Sequence, residues 1–189
     1  MIKVPQNSSE VLQYYYDRMN IRSAFNEMIH QTNNLDLAID LAGLEFGSEW
    51  YGTKIQSWLE MKFGWKGIPQ TENRGDFSSS KYKNVELKLS ILTKSKRANF
   101  LNLRLSSEAN HYMFIVRSVP KQYTKIFFLD KKDVAEMVDM FKEGSYHKHD
   151  SGHASLRINT ESHVWSDPTL NAWSYLHQFE ISFDDLATL

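Results

Sequence analysis

The chain has no cysteine, which excludes disulfides and thiolate metal sites. It has little proline and glycine, 4 and 8 residues among 189, scattered at boundaries. No Pro/Gly-rich linker, internal repeat or low-complexity tract divides it, so a single domain over residues 1–189 is expected. No run approaches eighteen apolar residues, which excludes a membrane-spanning helix. The first residues, Met1-Ile2-Lys3-Val4-Pro5-Gln6-Asn7, lack the apolar stretch of a secretory signal. A cytoplasmic location is the expectation. Net charge is also nearly absent, at −1. What is present is 41% hydrophobic and 24% charged residues, the composition of a chain that buries a core.

The small net charge hides an asymmetry. Residues 81–125 carry ten Lys/Arg against only Glu86 and Glu108, while both flanks are acidic. A local excess of this kind reads either as a polyanion-binding surface or as a solvated polar face.

The first third has helical periodicity. Asn7 and Glu10 have capping-box spacing, followed by a stripe of Val11, Leu12, Tyr15 and Met19. A second helix carries Ile21, Ala24, Phe25, Met28 and Ile29 at i, i+3, i+4, i+7 and i+8. Asn33 or Asn34 caps a third helix through Leu41, which Gly43 ends. Ser48 caps a fourth, with Tyr51, Ile55, Trp58 and Leu59 on one side and Gly64 as its stop. The period then changes. Val85, Leu87, Leu89 and Ile91 alternate with Glu86, Lys88 and Ser90, as in a half-buried strand. Leu101, Leu103 and Leu105 alternate more briefly. Residues 112–116 and 126–129 read as central apolar strands. Asp130 caps a helix with Val134, Met137, Val138 and Phe141, ended by Gly144; residues 145–153 read as a His-rich loop, and Asp167-Pro168 opens a last helix near 168–178. Helices, then strands, then alternating elements imply an α/β protein with a central mixed sheet flanked by helices. The five tryptophans are expected to be core anchors.

The segment that carries chemistry is Gly75-Asp76, nine residues, then Glu86-Leu87-Lys88. Residues i and i+2 of a strand share a face, so Glu86 and Lys88 project together, opposite Val85, Leu87 and Leu89. The turn-rich stretch Ser78-Ser79-Ser80-Lys81 folds the chain back and brings Asp76 beside Glu86. Two carboxylates and an ammonium at one point suit metal-assisted phosphodiester hydrolysis, since Mg²⁺ takes oxygen ligands, keeps several waters and needs only one or two carboxylates. The Leu87 carbonyl offers a further oxygen. An isolated Glu-x-Lys is otherwise an ordinary surface ion pair.

These residues resemble the PD-(D/E)xK nuclease signature, nearest to type II restriction endonucleases: an aspartate after glycine, then a strand reading Glu-hydrophobic-Lys. The resemblance covers roughly residues 48–143, behind a helical region 1–47 and ahead of residues 144–189. It implies a restriction-endonuclease-like core and a Mg²⁺-dependent endodeoxyribonuclease acting on double-stranded DNA. By resemblance Asp76 and Glu86 ligate Mg²⁺ and Lys88 serves the attacking water. Gly75 stands where the signature often has proline. Members often add an acid from the preceding helix; Glu49 and Glu60 are both available, with Gln56 between them, and Glu49 is included in the metal set. Lys94, Lys96, Arg97, Asn99, Asn102 and Arg104 are expected to touch DNA, with Asn99, Asn102 and Arg104 able to reach base edges. A palindromic target implies a homodimer, through the aromatic N-terminal helices with Tyr14, Tyr15 and Tyr16, or through the last helix with Trp173. Competing readings are a structure-selective repair or junction nuclease and a non-catalytic DNA-binding subunit of the same fold. His147, His149 and His153, with Asp150 among them, offer a second, zinc-like cluster, for which a loop without a metal is the preferred reading. Arg74-Gly75-Asp76 also matches a cell-adhesion tripeptide, a weak reading without a secretory signal.

Overall fold

The computed structural model describes residues 8–47, 50–69, 71–94, 96–141, 146–148, 154–160 and 171–189; for residues 8–15, 146–148 and 154 it describes the backbone alone. The chain divides into two compact units, residues 1–58 and 59–189.

The first unit is helical. The two helices expected before residue 31 are one, α1 (Ser8–Gln31). Met19 and Ile21, assigned to separate apolar stripes, are both exposed, as is Tyr16. No proline or glycine interrupts residues 8–31, so nothing in the backbone separates the two stripes. Asn34, not Asn33, caps α2 (Leu35–Glu45): its side chain accepts from the Leu37 N–H at 3.1 Å. Gly43 does not end α2, which runs two residues further to a cap at Phe46; an interior glycine costs only about 1 kcal/mol. Ile29, Ala38, Ile39, Ile55 and Trp58 are fully buried in this unit, and the Trp58 indole donates to the Thr32 carbonyl at 2.9 Å. Trp50 is exposed, against the expectation of a core anchor. Helix α3 (Tyr51–Phe63) continues into the second unit and stops at Gly64, where φ is +68°. Ser48 lies outside the described residues.

The second unit is α/β, with a mixed sheet as its centre. The sheet order is β1 (Lys66–Gly67), β2 (Phe77–Ser78), β3 (Val85–Leu92), β5 (His111–Ser118), β6 (Tyr123–Asp130) and β9 (Glu180–Ile181). Among the described residues only β3 and β5 pair in parallel. A second, antiparallel sheet has the order β4 (Arg97–Leu103), β8 (Ala154–Asn159), β7 (Tyr146–Lys148). Residues Tyr146–Lys148 therefore form a strand within the stretch expected to be a loop, and His147 lies on it. His149, Asp150, His153 and Gly144 lie outside the described residues, as do Trp165 and Asp167-Pro168.

The apolar centre lies between the two sheets. Phe100 and Leu103 of β4, Tyr112, Phe114 and Val116 of β5, Phe127 and Leu129 of β6, and Leu156 and Ile158 of β8 share it. Helix α4 (Lys131–Met140) adds Val134 and Met137, and α5 (Ala172–Leu176) adds Trp173. Asp130 stands at the α4 N-cap without capping it; its carboxylate pairs with His111 Nε2 at 3.1 Å. α5 is shorter than the helix expected there, and Asn171 caps it by accepting from the Ser174 N–H.

Two strands differ from their expected faces. β3 is more than half-buried: Glu86 and Ser90 on its polar face are buried as well as Val85 and Leu87, and at Ser90 β4 lies against that face, the Asn99 N–H donating to Ser90 Oγ at 3.0 Å. Of the expected Leu101–Leu103–Leu105 alternation, Leu103 is buried and Leu105 packs against the core, but Leu101 does not. A bulge at Asn102, with φ of +55°, flips the pattern, so Ala98, Phe100 and Leu103 turn inward while Leu101 is 56% exposed.

Candidate active site

The hairpin β2–β3 builds the site. Phe77 pairs with Val85, and the Asp76 N–H donates to the Val85 carbonyl at 2.8 Å. Ser79 and Tyr82 close the loop: the Ser79 N–H donates to the Tyr82 carbonyl at 2.8 Å and the Tyr82 N–H to Ser79 Oγ at 2.9 Å. Gly75 sets the approach. Its φ is +97°, and a Cβ there would meet the Val85 oxygen at 2.8 Å. Only glycine combines that dihedral with so close a backbone contact.

Side-chain parity then decides the chemistry. Phe77 and Val85 point to one face of the sheet, where Phe77 stacks on Trp65 at 4.6 Å. Asp76 and Glu86 take the other face. The Asp76 carboxylate does not remain free in solvent: Oδ2 accepts from the Leu87 N–H at 2.7 Å, so it sits on the peptide joining Glu86 to Leu87. The N–H and C=O of one strand residue leave the same edge, which aims the Leu87 carbonyl toward the Asp76 side. Lys88 Nζ lies 2.7 Å from Glu86 Oε1. Glu86 is buried and the Lys88 side chain is 16% exposed, so the pair is largely withdrawn from solvent.

The electrostatics of Asp76 follow from that crowding. Its carboxyl is pushed up to about 6, first by burial and then by the neighbouring Glu86 charge. The Leu87 N–H, Lys88 and Arg104 oppose the shift but do not cancel it. Burial, more than the charge of Glu86, is what disfavours ionising Asp76.

Sequence reasoning missed Tyr112 and Ser107. Tyr112 is the in-register neighbour of Glu86 across the parallel pair and is fully buried. Its hydroxyl donates to the Arg104 carbonyl at 2.9 Å, and Ser107 hydrogen-bonds to it. Burial is the main cause that pushes the phenol up to about 12. The Ser107 N–H also donates to the Arg104 carbonyl, at 2.9 Å. This turn fixes Arg104, an exposed residue, close enough to lower the Asp76 pKa. Nothing in the apolar run 112–116 marked Tyr112 as a site residue.

The remaining residues of the expected set are distributed as follows. Lys94, Lys96, Arg97, Asn99, Asn102 and Arg104 are all exposed on β4 and its flanks. Glu49 lies outside the described residues. The Glu60 carboxylate occupies the space a Gly67 Cβ would need, 2.6 Å from that position. Gly67 pairs with Phe77, which puts Glu60 on the Phe77 side and away from Asp76 and Glu86. Among the described residues, no group of three or more His, Cys, Asp or Glu gathers as a metal site. The candidate oxygen donors are therefore two carboxylates and one carbonyl, a set that fits Mg²⁺, which keeps several of its waters.

Comparison with models of known protein families finds no match, and no curated protein matches the chain. Among the described residues no helix is long and apolar enough to cross a membrane.

Proposed function

We propose that the protein is a Mg²⁺-dependent endodeoxyribonuclease with a restriction-endonuclease-like core. It cleaves duplex DNA in the manner of type II site-specific enzymes, as a homodimer on a palindromic target in the cytoplasm. One observation carries the reading: the Asp76 carboxylate rests on the Glu86–Leu87 peptide, beside a buried Glu86–Lys88 pair. A fold gains no stability from crowding two acids under a desolvated lysine, and such crowding is typical of sites with a task.

Asp76, Glu86 and the Leu87 carbonyl would hold the ion, whose chemistry is charge stabilisation at the phosphate and acidification of water. The protein's own groups supply the rest. Asp76 and Glu86 turn two negative charges to one point and raise the local affinity for a cation. Lys88 is within reach of that point; once Glu86 is otherwise neutralised, its ammonium is free to orient a water and offset charge on the phosphorane. Arg104 adds a second positive charge, held by its carbonyl bonds from Tyr112 and Ser107.

Incubation with supercoiled plasmid and Mg²⁺ tests this. Cleavage at defined positions, lost in Lys88→Ala and Glu86→Ala with DNA binding retained, is the expected result. No cleavage of any duplex, or undiminished cleavage by those variants, refutes it. The second reading is a non-catalytic DNA-binding subunit, favoured by the completeness of the 2.7 Å Glu86–Lys88 pair; salt-dependent binding without metal-dependent cutting selects it. Preferential cutting of branched DNA selects a junction nuclease.

A further inference from the structure

The second sheet presents a face that the cleavage chemistry does not use. In β4 the outward residues are Arg97, Asn99 and Leu101, and in β8 they include Arg157 and Asn159. The register places Arg97 across from Asn159 and Asn99 across from Arg157. Arginine and asparagine thus alternate both along and across the ribbon, and all four residues are exposed. Neither strand contains an acidic residue, and Lys94 and Lys96 lead into β4.

We propose that this β4–β8 face is the base-reading surface and lies along the major groove of duplex DNA, with Arg97, Asn99, Arg157 and Asn159 as the readers. The residue types match the task. Arg pairs bidentately with guanine and Asn with adenine at their major-groove edges. The spacing also matches: side chains at i and i+2 are about 7 Å apart, two base steps at roughly 3.4 Å each. Leu101, next on the same face, is suited to contact a thymine methyl. A single strand is the poorer fit, because such surfaces stack bases on aromatic rings and this face has none. The ribbon is tied through its backbone to the strand that carries Glu86 and Lys88. Asn99 is hydrogen-bonded to Ser90, and Ser90 follows Lys88 on the same side of β3. Arg157 and Asn159 lie outside the basic segment 81–125, and only the strand pairing brings them to Asn99 and Arg97.

This inference rests on the nuclease reading for its biological sense, but its test is separable. Metal-free protein is mixed with a 30-base-pair duplex pool of randomised sequence, the bound fraction is sequenced, and affinity is read by fluorescence anisotropy. Wild type should enrich a defined sequence and bind the duplex pool more tightly than the matching single-stranded pool. The Arg97→Gln/Arg157→Gln variant should lose at least about tenfold in affinity for the enriched duplex, the effect of one lost bidentate contact or more. The Arg97→Lys/Arg157→Lys variant keeps the charge and loses the fork, so it should bind the random pool nearly as wild type yet fail to enrich the sequence. Circular dichroism checks that each variant folds. Absent duplex binding, preference for the single-stranded pool, or enrichment of the same sequence by the lysine variant overturns the proposal. Plasmid digestion separates the two readings. A wild type that cuts nothing yet enriches a sequence, with that enrichment lost in the lysine variant, removes the nuclease and keeps this face. Wild-type cutting reproduced at the same sites by the glutamine variant removes this face and keeps the nuclease.

Discussion

Strands β3 and β4 follow each other in the chain, and both alternate apolar with polar residues. They differ in where the polar residues go. Those of β4 face outward, at Arg97 and Asn99, while on β3 Glu86 and Ser90 are buried and Lys88 is half-buried, with Ser90 accepting from the β4 backbone. Polar alternation toward solvent costs nothing. Alternation toward the interior leaves charged groups desolvated, and each must be matched by a partner. The same sequence pattern therefore yields an interaction face in one strand and a reactive cluster in the next. The substitutions below break or sharpen that contrast, from the largest expected effect to the smallest.

Lys88→Met should cost most. It leaves Glu86 buried opposite an apolar side chain, a loss of about 3–5 kcal/mol by the behaviour of broken buried pairs. The double variant Lys88→Met/Glu86→Gln should recover much of it, as urea denaturation would show. Recovery by the double variant is what separates a buried pair from a loss of packing at Lys88.

Gly75→Ala should cost about 1–3 kcal/mol, because φ is +97° and the new Cβ meets the Val85 oxygen at 2.8 Å. It should also reduce plasmid cleavage more than its stability loss explains, since the next residue is Asp76. Thermal melting and cleavage rates measured below the melting range would separate the two effects.

Asp76→Asn should stabilise the metal-free protein. The carboxyl is raised to about 6, so the folded state holds its proton more tightly than the unfolded chain does. The penalty for ionising it is absent below about pH 4, grows between pH 4 and 6, and is complete above pH 6. The Asn variant should therefore gain up to about 3 kcal/mol over wild type at pH 7, falling toward zero at pH 4. Denaturation at the two pH values, without divalent ions, would show it. The same variant should lose cleavage.

Arg97→Gln belongs at the other end of the comparison. Its exposed position on β4 predicts a stability change within about 0.5 kcal/mol by thermal melting, whatever it does to DNA binding.

The hairpin was legible in the sequence because its signals are local. Gly75, the serine turn and the alternation of β3 together determine which side chains meet. The central strands β5 and β6 were legible for the same reason, as apolar runs. What the sequence hid is non-local. No alternation in residues 85–92 says that another strand will lie against the polar face, so β3 looked half-buried. The bulge at Asn102 turns Leu101 outward while Leu103 stays buried, and a positive φ at an asparagine leaves little trace in hydropathy. Tyr112 and Arg157 came to their neighbours only through register across β3–β5 and β4–β8. The continuous α1 was missed because two stripes with different phases suggested a break that no backbone feature imposes.

The central claim is that Asp76 and Glu86 share one divalent ion. Its most direct test is the titration of the Asp76 carboxyl followed by carbon-13 NMR, with and without saturating Mg²⁺. The account predicts a midpoint near 6 without the ion and a clearly lower one with it, the ion offsetting the charge of Glu86. A midpoint unchanged by Mg²⁺ would contradict it.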